Sequence, residues 1–108
     1  MSVTKLNLHL NDATLEVPLS SGVISELNHQ LDQLIQQFKT ADKAAKQPNW
    51  EYQHIGEVFF EVFCNPNIWA NPLVAKVLLT VRDDRLRCTA EMPLTQLRQD
   101  IQEVLEQI

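Results

Sequence analysis

Glycine is the scarcest structural resource in this chain. Only Gly22 and Gly56 occur, far apart in sequence. Backbones that wrap phosphates use several glycines to reach positive φ and to admit the ligand closely. Neither G-x-G-x-x-G nor G-x-x-x-x-G-K-S/T is found, which argues against the common nucleotide-binding enzymes. No apolar run approaches the ~18 residues of a membrane span. Met1-Ser2-Val3-Thr4-Lys5 lacks an apolar h-region, so no signal peptide is expected. Cysteine is limited to Cys64 and Cys88, without C-x-x-C spacing. They read as reduced core thiols of a cytoplasmic protein rather than as a disulfide.

Positive charge is also short. Nine Lys and Arg face fourteen Asp and Glu, a formal net charge of −5. That balance weighs against nucleic-acid and anionic-membrane surfaces, which call for phosphate-neutralising cations. Histidine is confined to His9, His29 and His54, and no H-E-x-x-H or nucleophile-elbow pattern occurs. No cofactor is therefore expected, and catalysis is less expected than binding.

Apolar patterning is what the chain does have. Hydrophobic residues make up 44% of its 108 positions, enough for one domain spanning residues 1–108 with a real core. Leu6, Leu8 and Leu10 alternate with Lys5, Asn7 and His9; Asn11-Asp12 breaks the run, and Leu15, Val17 and Leu19 resume it. This is a hairpin with one apolar face. Ser20 and Ser21 offer N-cap hydroxyls to a helix from about Val23 to near Lys46, with Leu27, Leu31, Leu34, Ile35 and Phe38 as its stripe. Its Ala-rich end, beyond Phe38, buries little.

The same unit recurs near the other end. Val77, Leu79 and Val81, then Leu86, Cys88, Ala90 and Met92, form a second hairpin broken at Asp83-Asp84. A last helix starting at Pro93 or Thr95 carries Leu97, Ile101, Val104, Leu105 and Ile108. Between the two units, Ile55, Val58, Phe59, Val62 and Phe63 fit one face of a helix from about Glu51 to Cys64. Phe60 lies about 140° from Ile55 on that wheel and does not fit. Residues 65–72, bracketed by two Asn-Pro pairs, read as a stiff connector.

The expected architecture is α+β in the order ββααββα: a four-stranded antiparallel sheet with three helices packed on one face, a two-layer sandwich. Its opposite face would be wet, carrying Lys5, Asn7, His9, Thr14 and Glu16 from the first hairpin and Lys76, Leu78, Thr80, Arg82, Arg85, Arg87, Thr89 and Glu91 from the second.

Three constellations bear on function. Trp69 in the stiff connector, with Ile68, Phe60, Trp50 and Tyr52, suggests either an exposed partner anchor or a plug for the end of the core. Arg82, Arg85 and Arg87 cluster at the second hairpin and read either as a solvated sheet face or as a docking patch for an acidic partner. As a nucleic-acid platform they lack stacked aromatics. His54, Glu57 and Glu61 at i, i+3 and i+7 would share a helix face, a weak alternative for a metal or an acid–base pair. Asp100, Glu103 and Glu106 read as the wet side of the last helix. The expectation is a non-catalytic cytoplasmic interaction protein, an adaptor, regulator or assembly factor, and a possible homodimer.

Overall fold

A computed structural model describes residues 3–40 and 45–108. Strands β1 (Val3–His9) and β2 (Thr14–Ser20) form the first hairpin, in the register Leu6↔Val17 and Leu8↔Leu15. Its turn closes where the Leu10 amide donates to the Ala13 carbonyl at 2.8 Å. Leu6, Leu8, Val17 and Leu19 are buried, and Lys5 pairs with Glu16 on the reverse side at 3.2 Å.

Helix α1 (Ser21–Thr40) follows at once. Ser20 Oγ accepts the Val23 amide at 3.2 Å, satisfying one orphan donor of the first turn, worth about 1 kcal/mol. Ile24, Leu27, Leu31 and Leu34 face the core. The expected run of this helix towards Lys46 crosses residues 41–44, which lie outside the described residues; Ala45 and Lys46 are irregular.

The expected second helix is absent. Residues 50–64 instead form strands β3 (Trp50–Ile55) and β4 (Phe59–Cys64), antiparallel with Tyr52↔Val62 and His54↔Phe60. The helical stripe and a period-2 pattern compete here, and burial shows which prevails. Trp50 and Tyr52, with Phe60, Val62 and Cys64, are buried in alternation, while Ile55, first member of the helical stripe, is 81% exposed. A segment this rich in aromatic and β-branched residues suits a pleated surface, and Gly56 weakens a helix at its middle. Phe60, the misfit on the helical wheel, is the largest fully buried side chain.

Strands β5 (Lys76–Arg82) and β6 (Arg87–Pro93) complete a four-stranded antiparallel meander in the order β3-β4-β5-β6. The first hairpin does not join it; β1 and β2 make a separate two-stranded sheet. The four-stranded sheet thus keeps the expected β5–β6 hairpin but takes β3–β4 in place of the first hairpin, and the described residues contain two helices rather than three. Helix α2 (Leu94–Gln107) leaves β6 without a loop, and the Leu94 amide donates to the Ala75 carbonyl at 2.9 Å.

The helices pack on each other, α1 also meeting β1, β2 and β3 and α2 meeting β1 and β6. Arg98 of α2 bonds Asp32 of α1 at 2.6 Å. One hydrophobic cluster joins both sheets and both helices. No described helix is long and apolar enough to cross a membrane.

Candidate functional site

Strand alternation decides which side chains the larger sheet shows outward. The even-numbered residues of β3 and β4 and the odd-numbered residues of the β5 core (Tyr52, Phe60, Val62, Val77, Leu79) turn inward with Met92. Their neighbours turn out, and the register arranges these in rows. Ile55, Phe59, Arg82 and Arg87 form one row; Gln53, Glu61, Thr80 and Thr89 the next, with Thr80 buried beneath its neighbours; Glu51, Phe63, Leu78 and Glu91 the third. Lys76 stands beyond the third row.

This outer face is partly apolar. Ile55 is 81% and Leu78 41% exposed, and Phe59 and Phe63 are half-buried. The Arg82 guanidinium lies over the Phe59 ring, 4.4 Å from its centre, a cross-strand cation–π contact. Gln53 Nε2 donates to Glu61 Oε2 at 2.6 Å, and Lys76 pairs with Glu91 at 3.7 Å.

Arg82, Arg85 and Arg87 are exposed at one end of the face. Among the described residues none of them has a carboxylate within ion-pairing distance. Asp83 is committed to the turn, its Oδ1 accepting the Arg85 and Leu86 amides at 2.8 Å each. Those two bonds hold its carboxyl below the usual value of 3.8, because they favour the ionised form.

The other expected contact residues divide. Trp50 and Phe60 lie inside and offer no surface. Trp69 is half-buried against the core, as expected of a plug, while its neighbour Ile68 is 66% exposed. The connector is stiffened by its asparagines: Asn65 Oδ1 accepts the Asn67 amide at 3.0 Å, and Asn71 Oδ1 the Leu73 amide at 2.9 Å. Asn67 also clasps Gln47, through Oδ1 at 2.7 Å and Nδ2 at 2.8 Å.

His54, Glu57 and Glu61 do not converge. His54 sits on the inward-facing row with Phe60, Glu57 in the turn, and Glu61 on the outward row. The helix that would have aligned them does not exist, and no described group of three His, Cys, Asp or Glu is placed to hold a metal. Cys64 and Cys88 are free thiols. Burial raises the Cys64 pKa to about 11, so it is no nucleophile at neutral pH.

One polar assembly was hidden from sequence reading. Asp100 of α2 is 1% exposed and binds His9 twice, accepting from the backbone amide and meeting Nδ1, both at 2.8 Å. Gln96 Nε2 donates to the same carboxyl at 2.9 Å. An open cleft of about 540 Å³, lined by His9, Lys76, Glu91 and Gln96 among others, borders it. Among the described residues no hydroxyl or thiol is bonded to the His9 ring, so the assembly has no described nucleophile beside its imidazole. Chemically the assembly is an anchor between β1 and α2. The readable signal was the position of Asp100, inside the apolar stripe between Leu97 and Val104.

Comparison of the chain with models of known protein families and with curated proteins yields no match.

Proposed function

We propose that the protein is a small one-domain cytoplasmic interaction module, an adaptor, regulator or assembly factor of a larger complex, and that it acts without catalysis. The observation supporting this reading is the outer face of the four-stranded sheet. Both helices and the first hairpin gather on the other side, leaving two apolar pairs, Ile55 with Phe59 and Phe63 with Leu78, on either side of a polar row on a face that no described element covers. Apolar patches framed by polar residues mark contact surfaces in water-exposed proteins. Aromatic side chains and arginine are the residue types enriched at such interfaces, and here Phe59 and Arg82 stack at its margin.

The test is capture from the native host with the tagged chain and with a Phe59→Ser, Leu78→Asn variant whose far-UV spectrum matches the parent. The reading expects the variant to lose the partners that the parent retains. If the variant retains all of them, the sheet face is not the contact surface.

A further inference from the structure

We propose that the occupant of this face is a second copy of the same chain, seated sheet on sheet about a two-fold axis that runs across the strands. The inference rests on the interaction reading above and names its partner. It starts from charge. The chain carries a net charge of −5, yet the outer face balances Glu51, Glu61 and Glu91 against Lys76, Arg82 and Arg87. The balance is also ordered. The arginines stand in one row, and Glu51 and Glu91 stand two rows away along the strands.

That order makes the face complementary to itself under one rotation. An isologous interface puts the same patch on both subunits. With the axis along the row Gln53–Glu61–Thr80–Thr89, the row above in one copy meets the row below in the other. Arg87 then faces Glu91 of the second copy, Phe59 faces Phe63, and Arg82 lies over Leu78. Each pairing occurs twice. The alternative axis, parallel to the strands, brings the arginine-rich ends of both copies together and opposes like charges. Charge therefore selects the first. Two sheets packed face to face interdigitate their side chains across about 10 Å.

Size sets the strength. Four strands at about 4.8 Å spacing and five residues at about 3.4 Å rise cover a strip of roughly 19 by 17 Å. That is short of the about 800 Å² per partner in a standard interface, so the dimer is a weak one that forms as concentration rises. Ile55 meets Glu51 of the second copy, and the arrangement has one like-charge opposition: Glu61 lies on the axis and meets Glu61 of the second copy.

That opposition gives the test its sharpest arm. Sedimentation equilibrium of the full chain is run on the parent, Arg87→Glu, the Arg87→Glu, Glu91→Arg double variant, and Glu61→Gln, each checked for fold by far-UV spectrum. The parent is expected to dimerise in the micromolar range or weaker. Arg87→Glu should weaken association by about tenfold or more, because each dimer has two such contacts. The double variant should recover part of it, since the swapped charges again face each other across the axis while Lys76 loses the Glu91 carboxylate it pairs with in the monomer. Glu61→Gln should tighten it by up to about fivefold, the scale of removing one exposed like-charge contact. A parent that stays monomeric at the highest concentration reached, or a double variant that fails to recover, overturns the proposal. A strict monomer whose host partners are lost on Phe59→Ser, Leu78→Asn overturns self-association alone; a dimer whose variant keeps every host partner overturns the adaptor reading instead.

Discussion

Cys64 and Cys88 show how little residue type says about reactivity without placement. Cys64 closes β4 against the core, and burial raises its thiol to about 11 against an ordinary 9.0. Cys88 lies on β6 opposite Val81 and is half-exposed. A thiol reagent at neutral pH is therefore expected to label Cys88 and leave Cys64 untouched until the chain unfolds; fast labelling of both would contradict the burial of Cys64. The raised thiol also fixes a sign. The unfolded chain releases the Cys64 proton near 9.0 while the folded chain still holds it, so this residue's contribution is complete below that pH. It is lost as pH rises towards 11. Asp83 works in the opposite sense. Its lowered carboxyl contributes stability above 3.8, and that contribution fades as pH falls below this value.

At the scale of elements, the decisive residue is Phe60. In a helix over residues 51–64 it would point away from the core; in β4 it is fully buried. Phe60→Ala is thus expected to cost about 3–5 kcal/mol, and Ile55→Ser, at an 81% exposed position, within about 0.5 kcal/mol. Denaturant unfolding of the two variants checks this, and the reverse ranking would restore the helix. The buried carboxylate gives a second measurement. Asp100→Ala leaves the His9 amide and Gln96 without their acceptor and should destabilise the fold by about 2–3 kcal/mol. A loss near zero would mean that β1 is not anchored to α2 through this group.

How much of this was legible also varies by element. The first hairpin, α1, the β5–β6 hairpin and α2 each carry a single unambiguous period, and Ser20 caps α1 as its position suggested. The 50–64 segment carries two. Ile55, Val58, Phe59, Val62 and Phe63 fit a helix, while Trp50, Tyr52, Phe60, Val62 and Cys64 fit alternating strands, and only packing chooses between them. That choice supplies the four-stranded sheet with β3 and β4 and leaves the first hairpin as its own small sheet. Arg82, Arg85 and Arg87 were readable as a cluster because they share one hairpin. Phe59 and Phe63 were assigned to the interior and became surface. His9 and Asp100 lie 91 residues apart in the chain, a separation no local pattern spans.

At the scale of the whole molecule, the described helices and the small ribbon lie on one side of the larger sheet, and no described element packs on the other. No described helix is long and apolar enough to cross a membrane. The competing apolar surface is the connector, where Ile68, Leu73 and Val74 are exposed. The two surfaces lie on different parts of the fold, and solution NMR of the labelled chain across a concentration series separates them. The account expects the progressive shifts to fall on Phe59, Phe63 and Leu78, with Ile68 and Leu73 unmoved. Shifts confined to the connector, with the sheet face silent at every concentration, would contradict it.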